Sequence, residues 1–255
     1  KAAIRRVYYQ SYHPDHVAPF QASLPLGHVL ETAPGLVPVV LAYKMNGQAI
    51  PASQGGPVRV VVPGTFGNKS IKWVQRLVLT NDYRANDTDA SDFNSDTDSA
   101  FKTKARFVNP PTEAAAGKPL PLTGFVLVGL SGISKVQYCV RDQKQPWPAD
   151  DPYWTTADWK DGTFLPPPTD WGGGLPGGRL PADLTQVDGP KGGPLKWPMR
   201  FNIAYWTALA PGLAPGSYDL SCRTIDGNGI AQPMPRPLLR TGANQLHKVT
   251  LNVRG

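Results

Sequence analysis

Three cations, Arg59, Lys69 and Lys72, fall within 14 residues of one another and flank a turn containing Gly64 and Gly67. Glycine lets backbone N–H groups close on an anion, and Arg and Lys add charge-assisted hydrogen bonds. Such a cluster could hold a phosphate or another small oxyanion; on a solvated edge the same residues would be ordinary surface charge. Other constellations are weaker. His13 and His16 form an H-x-x-H pair with His28 nearby, but a metal site needs three or more ligands with support behind them, so the pair reads as solvent-exposed. Cys139 and Cys222 sit in strand-like runs and read as two buried free thiols, with a single bridge between them as the alternative. Asp92–Ser99 offers oxygen ligands at alternate positions, as a calcium loop does. Yet Thr97 stands where the sharp turn needs Gly, and Thr103 where a bidentate Glu is needed. No metal ligand is assigned. Gly129–Ile133 lacks the spacing of a nucleophile elbow, and there is no P-loop and no strand pattern of an RNA-binding sheet.

The elements that must position these residues are short. The 255 residues include 28 prolines and 26 glycines, which oppose long helices and favour loops between strands. Strands are expected at Ala3–Tyr9, Leu36–Met45, Val58–Val62 and Lys72–Thr80, and a short helix at Leu24–Glu31. Leu36–Met45 is apolar enough for a buried strand, with Asn46-Gly47 supplying a hairpin turn. Nine of residues 81–99 are Asp or Asn, which reads as a solvated acidic loop. From about Phe107 the pattern is all-β. Gly124–Leu130 is a strand, and apolar residues alternate at Val136/Tyr138/Val140, Phe201/Ile203/Tyr205 and Tyr218/Leu220/Cys222, with Val249–Val253 closing the chain. That is the signature of a β-sandwich. Gln143–Lys196 interrupts it as a long Pro-, Gly- and Trp-rich insertion, whose tryptophans would either fill the core and pin the insertion or form a dimer face. The net charge of +7 suits anionic partners. No apolar stretch approaches the roughly 20 residues of a membrane span, and nucleic acid is not an expected partner.

Leu41–Lys72, reading LAYKMNGQAIPASQGGPVRVVVPGTFGNKSIK and followed by Trp73, resembles the segment LAYxMNGxxLPxxHGxPxRxVVPGxxGxxxVKW of the sulfite oxidase family. Tyr218–Gln232 and Leu239–Val249 resemble the end of that family's dimerisation domain. The resemblance implies a mainly β chain: the C-terminal part of an α+β molybdopterin domain over residues 1–95, then an immunoglobulin-like dimerisation sandwich over 96–255. It implies a molybdenum–molybdopterin cofactor, with Arg59, Ser70, Ile71 and Lys72 at cofactor-contacting positions and Lys69 added on charge alone. Gln54 stands where the family usually has His, so it could donate to the cofactor without carrying charge. A family Asp falls near Tyr12 or His13, and the pocket tyrosine near Phe93. Arg240 matches an arginine that reaches the substrate pocket and binds the oxyanion, a role suited to a planar fork of donors.

The family's metal-ligating cysteine falls upstream of Lys1, so the expected pocket is incomplete in this chain. Three readings follow. The first is a portion of a molybdenum enzyme oxidising sulfite or a related small oxyanion by oxygen-atom transfer. The second is a catalytically inert dimerisation module, or one chain of a split enzyme with an N-terminal partner chain carrying the rest of the pocket. The third is a secreted sandwich that binds anionic glycans. By resemblance the protein would be periplasmic or exported, a homodimer through the sandwich, with a cytochrome c as candidate electron acceptor.

Overall fold

The computed structural model describes residues 3–13, 18–32, 36–85, 87–88, 99–171, 176–178, 180, 184, 186–188, 192–233 and 244–255. The chain divides into two compact units, one built on Lys1–Phe101 and one on the chain from Lys102 onward.

In chain order the first unit holds β1 (Arg6–Ser11), β2 (Gln21–Pro25), α1 (Leu26–Leu30), β3 (Val40–Ala42), β4 (Lys44–Met45), β5 (Gln48–Ala49), β6 (Arg59–Val61) and β7 (Val74–Thr80). β1 lies between β2 and β7 in an antiparallel sheet, and β3 pairs with β6. Tyr9, Ala22, Leu24, Val60, Val62 and Ile71 form the core of this unit. The hairpin expected at Asn46-Gly47 is present: both residues take positive φ, 52° and 79°, between β4 and β5, as a tight hairpin turn requires.

The expected buried strand over Leu36–Met45 is a correction. Only Val40–Ala42 pairs with β6, and Val37, Leu41, Tyr43 and Met45 are all at least half exposed. An apolar residue at nearly every position suits a strand covered on both faces. Here only Val39 packs on the core cluster, so the opposite side remains an apolar surface. The expected helix over Leu24–Glu31 is also shorter, because Leu24 and Pro25 belong to β2.

The second unit holds β8 (Lys104–Phe107), β9 (Glu113–Ala115), β10 (Leu120–Leu127), β11 (Lys135–Asp142), β12 (Lys160–Asp161), β13 (Thr163–Phe164), β14 (Ile203–Ala210), β15 (Gly216–Ile225) and β16 (His247–Arg254). They form two sheets, ordered β13-β14-β10-β8 and β12-β11-β15-β16-β9. Leu122, Val126 and Trp206 from the first sheet share one core with Val136, Leu220 and Leu251 from the second. The mainly β reading therefore holds, with two sheets closed on a common core.

On β14 the inward face is the opposite of the one the alternation suggested. Ala204 and Trp206 are buried, whereas Ile203 and Tyr205 are about half exposed. A strand has a period of two, so choosing the wrong set inverts every side chain. Gly124 decides the matter. It sits directly across the ladder from Trp206, and a Cβ there would lie 2.4 Å from the indole nitrogen. Only glycine leaves room for the indole in the core.

The insertion between β11 and β14 uses its tryptophans differently. Trp147 stacks on Trp154 at 4.3 Å, and Arg223 lies 4.1 Å from the Trp159 ring centre. These rings cover the outer side of β15, where Asp219 and Ser221 are buried. Trp206 is the fully buried tryptophan of the core. Cys139 and Cys222 are both free and buried, and burial pushes each thiol above its ordinary pKa. Neither is poised as a thiolate. Gly124→Ala is expected to cost about 1–3 kcal/mol by overpacking, measured as a lower urea midpoint for the second unit.

Candidate cofactor-anion site

The segment Ser70–Trp73 connects the 3-10 turn Gly67–Lys69 to β7, and its backbone is held on both sides. Ile71 O accepts from Val60 N at 2.9 Å, and Trp73 N donates to Gly55 O at 3.0 Å. Ser70 Oγ accepts from Val62 N at 3.1 Å. Ile71 is a core residue, 4% exposed, so it offers a ligand backbone rather than side chain. Trp73 takes a positive φ of 51° and donates its indole N–H to Ala52 O at 2.8 Å. That conformation is uncommon for a bulky residue and persists here because both of its donors are engaged.

The turn Ala52–Gly56 lies against this segment. Gly55 has φ 97°, and a Cβ on it would approach Lys72 Cγ to 2.6 Å. Lys72 Nζ donates to Ser53 O at 2.8 Å and stands 5.6 Å from the Trp73 ring. Arg59 spans the two backbones, with Nη1 donating to Gln54 O at 2.8 Å and Nη2 to Ser70 O at 3.4 Å. Its Nε is buried and has no hydrogen-bond partner. Gln54 itself is exposed. Of the residues singled out from sequence, Gln54, Arg59, Ser70, Ile71 and Lys72 thus come together around one stretch of backbone.

Beside this stretch is a cleft of about 260 Å³, lined by Ser11, His13, Phe20, Ser70, Lys72 and Trp73 among others, with no carboxylate among its described lining residues. His13 is half-buried and meets Trp73 edge to face at 5.9 Å, which corrects its reading as a solvent-exposed histidine. Hydroxyls, an imidazole, an ammonium and two aromatic faces make a lining suited to a flat ring bearing an anion.

Lys69 is the clearest departure from expectation. Its side chain is fully buried, and Nζ lies 2.6 Å from Asp87 Oδ2 and 2.8 Å from Ser23 O. Its charge is therefore taken up inside the unit rather than offered to a ligand. Asp87 falls in the Asp/Asn-rich stretch expected to be solvated, yet it is 5% exposed. Its Oδ1 accepts from Ser23 Oγ at 2.5 Å, and Arg6 Nη1 donates to that same Oγ at 3.0 Å. Asp82, in the same stretch, behaves as expected: it is partly solvated, and the Arg84 guanidinium beside it holds its carboxyl below the usual range. Nothing in residue type separates these two aspartates; the buried ammonium does. Removing one member of a buried pair typically costs roughly 3–5 kcal/mol.

Arg240, Phe93, His16 and most of the calcium-like run lie outside the described residues. Among the described residues, no group of three His, Cys, Asp or Glu could hold a metal ion.

Residues 1–87 match the family described as the oxidoreductase molybdopterin binding domain. That stretch, about a third of the chain, is similar to part of the molybdopterin-binding domain of sulfite-oxidase-type oxidoreductases. The chain is 34% identical over 110 residues to a sulfite oxidase of Gallus gallus, covering 41% of this chain and 23% of that protein. The mitochondrial sulfite oxidase of Homo sapiens is 45% identical over 58 residues, 23% of this chain and 10% of that protein. A nitrate reductase [NADPH] of Fusarium oxysporum is 48% identical over 42 residues, 16% and 5% respectively. The matches thus span less than a quarter of each relative.

The site fits the anionic part of a molybdopterin. Lys72, Ser70 and His13 line the cleft with Trp73, no carboxylate is among its described lining residues, and Arg59 beside it keeps one N–H without a protein partner. Arg59→Lys keeps the charge but loses the fork that bridges Gln54 and Ser70. Hydrogen bonds to charged groups contribute about 1.5–3 kcal/mol, so this variant is expected to lose stability of that order in urea, with the loss confined to the first unit.

Proposed function

We propose that this chain is part of a molybdenum oxidoreductase acting on sulfite or a related small oxyanion by oxygen-atom transfer, with its first unit holding the phosphate-bearing end of the molybdopterin. The observation that carries the reading is a cleft lined by Ser70, Ile71 and Lys72, with Arg59 held beside it through the Ser70 carbonyl, within the stretch that matches the molybdopterin binding domain. On this reading Lys72 and Arg59 supply charge, Ser70 its hydroxyl and Ile71 its backbone, and by family likeness Gln54 would add a neutral amide. When bound, the cofactor would supply the redox chemistry; the protein supplies position and electrostatics. Relatives named for sulfite and for nitrate support a small oxyanion as substrate class. By family likeness Arg240 would orient that oxyanion.

A second reading is favoured by the surface. Val37, Leu41, Tyr43 and Met45 form an exposed apolar row on the first unit, and Ile203, Tyr205 and Leu209 another on the second. Large apolar patches mark interaction sites. The first row would be covered by further molybdopterin-domain sequence, preceding this stretch or carried on a partner chain. The second would be the homodimer face. On this reading the chain alone is inert and becomes an enzyme only in company. Among the described residues no helix is long and apolar enough to cross a membrane; export and a cytochrome c partner belong to the proposal.

Molybdenum content decides between the readings. For the protein purified with any partner it holds, about one molybdenum per chain supports the enzyme, and Lys72→Ala should lower that occupancy about tenfold. Arg240→Ala should leave occupancy unchanged while lowering kcat/KM for the oxyanion. Absence of molybdenum from the protein in every assembly, even after growth with excess molybdate, would leave only the inert module.

A further inference from the structure

We infer that the buried Lys69–Asp87 pair is the positioning device of the anion cradle: it fixes the start of Ser70–Trp73 so that Arg59, Ser70 and Lys72 can meet one anion. The inference rests on the cofactor-cradle reading above and adds to it two residues that need not touch the ligand.

Three sets of contacts hold the segment. First, the pair ties two distant points of the chain. Lys69 ends the 3-10 turn that precedes the cradle, and Asp87 lies beyond β7, where Thr88 N donates to Gln21 O and Gln21 N donates to Thr88 Oγ1 at 2.8 Å. Asp87 is therefore anchored along β2, and Lys69 is drawn onto that anchor through Asp87 and Ser23 O. Second, the main chain of Lys69 is held as well: its carbonyl accepts from Tyr9 Oη at 2.9 Å, and its N–H donates to Phe66 O at 3.2 Å. Side chain and backbone together leave the residue little freedom to rotate. Third, the far end of the cradle is clamped separately, by Trp73 N on Gly55 O and the Trp73 indole on Ala52 O. Ser70, Ile71 and Lys72 are thus suspended between two fixed points. Preorganisation of this kind matters for anions, because donors already in place need not be reorganised when charge arrives.

The pair also solves an electrostatic problem. A cation placed at the turn without a carboxylate would add to the charge of Arg59 and Lys72 across a poorly solvated region. Neutralised by Asp87, Lys69 organises the turn while leaving the cradle's charge to Lys72 at the cleft and Arg59 beside it.

The test is a titration of the 255-residue chain with inorganic phosphate, followed by the amide resonances of Ser70, Ile71 and Lys72. Wild type should show saturable shifts at these amides, and Lys72→Ala should abolish them. Asp87→Asn, nearly isosteric, should raise the phosphate dissociation constant at least tenfold while the sheet resonances of β1, β2 and β7 stay dispersed. Val7→Ala, a buried change in β1 with no part in the turn, should leave phosphate affinity within twofold and so separates positioning from loss of stability. If Asp87→Asn unfolds the unit, the paired replacement Lys69→Met with Asp87→Leu restores an apolar fit, and it should fold yet bind phosphate at least tenfold more weakly. The inference is overturned if Asp87→Asn or the paired replacement binds within twofold of wild type, or if Val7→Ala weakens binding as much as they do. No saturable response in wild type would overturn the cradle reading and this inference together. Loss in Lys72→Ala with full binding in Asp87→Asn would overturn this inference alone.

Discussion

An ammonium sealed from water must have a carboxylate and further acceptors beside it, or its burial is too costly to tolerate. In this protein that demand falls on Lys69, and meeting it organises the first unit. Asp87 has to leave solvent, Ser23 has to give both its hydroxyl and its carbonyl, and Arg6 has to approach the same hydroxyl. Those requirements bring β1, β2, the turn before Ser70 and the chain after β7 to one place. The proposed anion cradle, with Ser70 and Lys72 lining its cleft, is what this arrangement leaves facing outward. Two cations stay outside the buried pair's reach, and one of them, Arg59, keeps a buried N–H uncommitted.

The two units show different uses of the same physics. In the second, two sheets close on a common apolar core, and the register is set by steric fit at Gly124 and Trp206 rather than by charge. Its outer layer is unusual. Arg141 and Lys248 both pair with the buried Asp219, and both lie 5.7 Å from the Trp154 ring. Stacked rings over guanidinium and ammonium groups let a polar sheet face be covered without stranding its charges. This gives the long insertion a structural role on the sandwich and leaves the apolar row of β14 as its uncovered face.

Much of this was legible beforehand, and the failures have physical causes. The hairpin at Asn46-Gly47 could be read because positive φ narrows the choice of residues. Arg59, Ser70 and Lys72 could be placed together because a long motif with few gaps fixes their spacing. Two other features could not be seen. The inward face of β14 depended on whether Trp206 or Tyr205 found space, and that was decided by Gly124, 82 residues before Trp206. Lys69 looked like its neighbours Arg59 and Lys72, since charge and proximity are all that a sequence displays. Its burial depends on Asp87, which is one of nine Asp or Asn residues in a stretch with no apolar period. Long-range ion pairs leave no periodic trace, so the cation that faces inward cannot be told from those that face outward.

The central claim is that Arg59, Ser70 and Lys72 form one anion-binding cradle upon an internally neutralised turn. A crystal structure of the chain grown with phosphate tests it most directly. The account predicts an anion in contact with the Arg59 and Lys72 side chains and the Ser70–Lys72 backbone, with Lys69 still paired to Asp87 behind it. An anion seated instead on Lys69, with Asp87 turned out to solvent, would contradict it.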